Sequence, residues 1–360
     1  MRQRGLSLIE LMISLLLGSL IILAALTMLS SQSSQLRDQT QKTTLQESGR
    51  ISLDILGAHI RLAGFYGTMD EGDGLINLAS TGLASGTGCT GLITNPGGVI
   101  QTPIAAAAGT NDAMGLVARR FATVLEATGT YDCIDAANID VNSPVLEIHS
   151  VDGVPVIPAT GSSPPNDGYY VQASPGGGQL FFGFTDYDAL AASFQDRVYA
   201  DGVTPVEVMR WQPAIYYVKP CNLVNANCTG SGGLPTLVRQ RVVVPSAGAA
   251  PRVMEEPLIE GVERIEYTFG IGTNGQLERF VAVNDPLLLT NSAGDWANVL
   301  AVRVAVVVRE SGNHSGAAAL ANTVTLPSGT VWNCTQSTVG ACDSHRSLYT
   351  ATFNIRNRLL

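Results

Sequence analysis

Residues 6–29 read LSLIELMISLLLGSLIILAALTML, and Glu10 is the one ionisable side chain among them. An α-helix crosses a bilayer in about 20 apolar residues, so the stretch predicts a single membrane-spanning helix. A carboxylate buried in lipid without a partner costs several kcal/mol, which makes Glu10 the position that needs explaining. In front of the run stands Met1-Arg2-Gln3-Arg4-Gly5, whose two arginines hold the N-terminus on the cytoplasmic side. A secretory signal peptide would have a shorter apolar core and a small-x-small cut site, which Ala24-Ala25 suggests only loosely. A plain single-span anchor accounts for the length and the arginines but leaves Glu10 without a reason.

A short basic leader ending in Gly, then GLSLIEL with the Glu five positions after that Gly, resembles the class III signal of type IV prepilins. That resemblance implies that a membrane-embedded prepilin peptidase cuts between Gly5 and Leu6, and that Leu6 becomes the N-methylated first residue. It also implies that Glu10 pairs with the N-terminal ammonium of a neighbouring subunit when the helices bundle. Two opposite charges in a low-dielectric bundle attract strongly, and each relieves the other's desolvation. The family usually carries Phe where this chain has Leu6.

After Leu29 the chain turns polar through SSQSSQLRDQTQKTTLQESGR without a Pro, and apolar residues then return at Leu45, Leu53, Leu56, Ile60 and Ala63, with Gly49 in step. Steps of three and four are those of an amphipathic helix. The spacing therefore predicts that the first helix runs on to about Ala63, roughly 87 Å at 1.5 Å per residue, and ends at Gly64 and Gly67. Its second half would lie against a globular domain. The step Arg61-Leu62-Ala63-Gly64-Phe65-Tyr66-Gly67 reads as a structural helix exit.

Charge and composition narrow the function classes. With 45% hydrophobic and 14% charged residues the chain is folded rather than disordered. The 21 basic side chains against 30 acidic ones leave a net charge of −9; without Arg2 and Arg4 the balance is 19 against 30, or −11. An acidic surface repels phosphate, so no broad nucleic-acid-binding face is expected.

Six cysteines beyond a membrane helix read as disulfides in an oxidising compartment. Cys221 with Cys228 and Cys334 with Cys342 suggest themselves as local pairs closing short loops, which leaves Cys89 and Cys133 for each other. A zinc site has little support, since no CxxC occurs and His59, His149, His314 and His345 are scattered. Reduced thiols are the other open reading.

From Thr68 to about Pro251 the sequence is loop-rich, with strand-like alternations in GLVARRFATVL, PVLEIHSV, GYYVQA, QLFFGF, VEVMRWQPAIYYVK and TLVRQRVVV. ASFQDRVYAD, Ala192 to Asp201, fits a short helix or a loop equally well. In the last third, PLIEGVERIEYTFGIGTNGQLERF reads as strand, turn and strand. Its GIGTNG, Gly270 to Gly275, is a literal GxGxxG, but Asn274-Gly275 is a hairpin signal and no helix follows. WANVLAVRVAVVVRE and SLYTATFNIRNRL alternate as long strands, each with one buried face.

The VERIEY strand, the AVRVAVVVR strand ending in Arg309, and the terminal Tyr349 to Asn357 strand are similar to PilW-type minor pilins, as is the Arg-x-Ala-Gly-aromatic step. The similarity covers roughly residues 1–67 and 255–360. It implies an α+β, pilin-like fold in which a long N-terminal helix, transmembrane in its first half, packs on a large β-rich domain. The corresponding divisions are a leader at 1–5, the helix at 6–64 with 6–29 in the membrane, a β-rich lobe at 65–250 and an antiparallel sheet lobe at 251–360.

Catalysis is not expected. GxSxG, HExxH and P-loop motifs are absent, and no cofactor or metal is called for. Asp70-Glu71-Gly72-Asp73-Gly74 could hold calcium but lacks the EF-hand Glu, so a solvated turn is the simpler reading. Tyr169-Tyr170 and Tyr216-Tyr217 fit strand packing better than ligand binding. The resemblance implies a minor pilin that primes type IV pilus assembly and sits at or near the fibre tip. Its partners would be other minor pilins, the major pilin, the prepilin peptidase, the inner-membrane assembly platform and a PilY-type tip adhesin. It would be a single-pass inner-membrane protein of a Gram-negative bacterium with a periplasmic domain, then part of a surface pilus. A J-type pseudopilin of type II secretion, usually much shorter, and a membrane-anchored adhesin or DNA-uptake receptor are the rival readings.

Overall fold

Why a helix this long holds together is visible in how it ends. The computed structural model describes residues 8–67, 76–78, 116–119, 134, 138–140, 142–157, 165, 167–174, 177–183, 206–222, 233–244, 252–289, 298–310, 323–334, 342 and 344–355. Helix α1 (Leu8–Arg61) spans 54 residues, about 80 Å at 1.5 Å per residue. Past its last turn, the amides of Leu62 and Ala63 donate to the carbonyls of His59 and Ile60, and Gly64 adopts φ 75°, the left-handed cap that glycine reaches without strain. The Gly64 amide donates to His149 O at 2.9 Å, and the Val151 amide donates to Phe65 O at 3.0 Å. The helix exit is thus fastened to the domain, and Tyr66 is buried in it.

Three sheets make the β-rich part. Strands β1 (Ile76–Leu78), β4 (Val151–Ile157), β5 (Tyr169–Ser174), β6 (Gly177–Phe182) and β7 (Val208–Trp211) pair in the order β1-β6-β5-β7-β4. Strands β2 (Leu116–Arg119), β3 (Val145–Ile148), β8 (Ala214–Lys219), β9 (Thr236–Val243) and β10 (Arg252–Glu260) pair in the order β10-β9-β8-β3-β2. Strands β11 (Val262–Thr273), β12 (Gln276–Ala282), β13 (Val299–Arg309) and β16 (Arg346–Asn354) form a four-stranded antiparallel sheet, β12-β11-β13-β16. A short ribbon of β14 (Thr323–Thr325) and β15 (Val331–Asn333) and a helical turn, α2 (Pro286–Leu289), complete the described elements. Among these pairings only β1–β6 is parallel.

The cores explain the layering. On one side, Leu45, Leu56 and Ile60 of α1 pack with Ile265, Tyr267 and Phe269 of β11, with Val302, Val304, Val306 and Val308 of β13, and with Tyr216 and Leu237 of the second sheet. On the other side, Tyr217, Ile215 and Val238 join Tyr169, Val171, Leu180 and Trp211 of the first sheet in a second core. Strand β8 is therefore buried on both faces, and adjacent tyrosines end in different cores because successive strand residues point opposite ways. Strand β13 is likewise buried on both faces, where one was expected, because Val307 packs under Trp332 of the ribbon and under Leu326 and Cys334 beside it.

The GIGTNG stretch is a hairpin. Asn274 has φ 52° and Gly275 φ 71°, positive at both central positions as a type I′ turn requires, and β12 follows directly.

Candidate functional site

Along α1, surroundings change abruptly. Leu36 is 65% exposed and Leu45 only 4%. N-terminal to that change, the helix carries an apolar window long enough to cross a membrane, none of which is covered by the rest of the chain. Exposed leucines forgo about 1.5–3 kcal/mol each relative to burial, so this half demands lipid or other helices around it. Its hydroxyls make no demand on water. Ser14 Oγ donates to Glu10 O at 2.7 Å, Ser19 Oγ to Leu16 O at 2.9 Å and Thr27 Oγ1 to Ala24 O at 2.8 Å, the arrangement an apolar medium tolerates. Glu10 lies in the first turn of the described helix, where the macrodipole favours a negative charge. At Gly18 an added Cβ would meet nothing within 4 Å, so the chain's own packing places no demand on a glycine there.

C-terminal to the change, the helix is seated on the four-stranded sheet. Gly49 and Gly57 leave room on its surface for the rings of Tyr349 and Phe353 on β16. The Arg61 guanidinium caps the Phe353 ring at 5.0 Å from its centroid. Behind the sheet, Glu263 accepts from Arg346 Nε at 2.7 Å and from Arg346 Nη2 at 3.2 Å, with Arg309 Nη1 at 3.9 Å. The side chains of Glu263 and Arg346 are each 1% exposed. A β-bulge explains how a carboxylate arrives there. Between Val262 and Arg264 the β11–β13 register shifts, so Glu263 is the extra residue and leaves the core-facing phase of Ile265, Tyr267 and Phe269.

That ion cluster was not read from the sequence, although one signal was present: a Glu standing in the apolar phase of an otherwise regular strand. A second buried pair also escaped notice, His149 Nε2 at 2.5 Å from Glu147 Oε1, with both side chains 1% exposed and the imidazole 5.5 Å from the Trp211 ring. Of the residues singled out beforehand, Gly5, Leu6, Cys89, Cys133, Cys228, the Asp70–Gly74 stretch and the 192–201 stretch lie outside the described residues. Cys334 and Cys342 are joined in a disulfide, Cα to Cα 5.5 Å. Cys221 is disulfide-bonded, its partner lying outside the described residues. Tyr169, Tyr170, Tyr216 and Tyr217 are buried strand residues. Among the described residues no group of three or more His, Cys, Asp or Glu is placed to hold a metal ion.

A long helix, bare and apolar at its N-terminal half and seated by its C-terminal half on an antiparallel sheet, is the α+β arrangement that the sequence resemblance implied. Residues 1–26 match the prokaryotic N-terminal methylation motif, a stretch that reaches into the apolar half of this helix. Residues 216–357, from β8 through β16, match the model for type IV pilus-assembly protein W, and the sheet that seats the helix lies within that stretch. Comparison with curated proteins and with solved structures gave no match.

Proposed function

We propose that the protein is a minor pilin that joins other minor pilins in an inner-membrane complex, primes assembly of the type IV fibre and then rides at or near its tip. The observation that carries this reading is the bare apolar half of α1, which overlaps a match to the N-methylation motif, on a helix seated on a sheet that matches the PilW model. After cleavage between Gly5 and Leu6 and methylation of Leu6, the helix leaves lipid for a bundle of like helices. Glu10 then sets register by pairing with the terminal ammonium of an adjoining subunit, an interaction that low dielectric strengthens. The β-rich domain, periplasmic until export, offers its faces to the major pilin, neighbouring minor pilins and a PilY-type adhesin. No catalytic step is asked of it.

Intact-mass analysis of protein from sheared pili tests this. A species beginning at Leu6 and carrying one added methyl is expected. Protein that retains Met1, or that is absent from the pili, overturns the reading.

A further inference from the structure

At the C-terminal end of α1 a cleft of about 540 Å³ opens, lined by residues of that helix and of both five-stranded sheets. Strand register decides what it contains. Arg239 and Arg241 stand two residues apart on β9 and share a face. Across the pair, Glu256 lies opposite Arg239, Met254 opposite Arg241, and Arg252 opposite Val243. On β8, Tyr216 lies opposite Arg239, and His59 from the last turn of α1 packs on it with ring centroids 5.6 Å apart. The opposite wall brings Asp167 and Arg210, with the buried rings of Tyr169 and Trp211 behind them.

The charges in this cleft do not balance. Glu256 Oε2 alone accepts from Arg239 Nη2 at 2.7 Å, Arg239 Nε at 3.1 Å and Arg241 Nε at 3.0 Å. Arg210 is paired with Asp167 at 2.7 Å. Arg252 has no ion pair or hydrogen bond among the described residues, and the two terminal nitrogens of Arg241 donate to no acceptor there. Among the described residues, four guanidinium groups line the concavity against Asp167 in its lining and Glu256 beside it, on a chain whose net charge is −9. Burial and the nearby Arg239 hold His59 below its usual value, although its contact with Ile55 O works against them. At neutral pH it leaves the excess at two positive charges.

In register Arg239 lies opposite Glu256, while Arg241 and Arg252 lie opposite Met254 and Val243, which leaves their charges without a carboxylate directly opposite across the pair. Arg241 and Arg252 are diagonal neighbours across β9–β10, about 7–8 Å apart by strand geometry, a span that two planar forks close over a single oxyanion. The volume lies within the range of small-ligand sites, and apolar walls with a few convergent polar groups are their usual lining.

We propose that this cleft binds a small polyanion through carboxylate or phosphate oxygens, with Arg241 and Arg252 as the primary clamp and Arg210 and Arg239 as the flanking charges. The site takes only His59 from α1 and nothing from its apolar half, and it is independent of the assembly role.

The test is calorimetric titration of the detergent-solubilised full chain with citrate and, separately, with inorganic phosphate at low salt. Saturable one-site binding is expected for at least one of them, and the tighter of the two identifies the oxyanion. Affinity should fall at least about tenfold in Arg241→Gln/Arg252→Gln and stay unchanged in Arg50→Gln/Arg279→Gln, which removes the same charge from exposed positions elsewhere. Arg252→Gln alone, at an exposed side chain with no bond to lose, should show part of the loss without affecting the fold. No saturation by either anion up to about 10 mM, or equal loss in both double variants, overturns the proposal.

Discussion

The ring of Phe353 fills the space that a side chain at Gly57 would need: a Cβ on Gly57 would come within 2.6 Å of Phe353 Cζ. Eight residues earlier on α1, Gly49 stands in the same relation to Tyr349, four residues earlier on β16. The two spacings agree, since eight helical residues rise about 12 Å and four strand residues about 13 Å. Helix and strand therefore run side by side and interlock twice, which seats the C-terminal half of α1 on the sheet while its N-terminal half stays bare.

Gly57→Ala should cost about 1–3 kcal/mol, because overpacking the ring outweighs the gain of up to about 1 kcal/mol in helix propensity. Urea denaturation of the single variant, of Phe353→Leu and of the double variant gives the coupling. The double variant should recover part of the loss. Strict additivity would show that the ring and the glycine do not share the seam.

Glu263→Gln should be far more damaging than its position behind the sheet suggests. Arg309 and Arg346 lie directly opposite each other in register, and Glu263 sits between their charges. Without the carboxylate, two buried guanidinium groups face each other at a cost of about 3–5 kcal/mol. Chemical denaturation measures it; a change under about 1 kcal/mol would mean that water already reaches the cluster.

Mild acid should loosen the junction where α1 meets the second sheet. Burial above all, with Arg239 adding to it, lowers the folded-state value of His59 from 6.5, so below that pH the unfolded chain binds more protons than the folded one. The stability His59 contributes is complete above about pH 6.5 and is lost as pH falls through the lowered value. Burial raises Glu256 and Asp167, but Arg239 and Arg241 at Glu256, and Tyr170 and Arg210 at Asp167, outweigh it and hold both below the usual carboxylate range, so they give way only in stronger acid. Thermal melts between about pH 7 and pH 5 should fall more steeply for the wild type than for His59→Gln. Parallel curves would remove His59 from the account.

Glu10→Ala should be cleaved at the Gly5–Leu6 bond yet fail to support piliation. Immunoblotting for processed protein and counting of surface fibres separate the two effects. Normal piliation in this variant would count against the register role.

Much of the architecture was legible in local order. The apolar run, the spacing from Leu45 to Ala63, the Asn274-Gly275 turn and the alternating strands are each a matter of neighbours along the chain, and local periodicity carries that information. Burial on both faces of β8 and β13 was hidden, because what covers a strand's second face comes from a remote segment: the first sheet over Tyr217, the ribbon over Val307. The Glu263 cluster depends on a bulge whose register is set by β13, and the arginine cleft depends on β9, β10, β7 and the end of α1 meeting. Sequence alone marked the long helix, the Asn274-Gly275 turn and the longer alternating strands, since backbone preference and side-chain period act over a few residues, while the short β14, β15 and α2 carried too few residues to show a period. Tertiary structure alone decided which charges meet, because ion pairs join residues as far apart as Glu263 and Arg346, and only folding sets their distance.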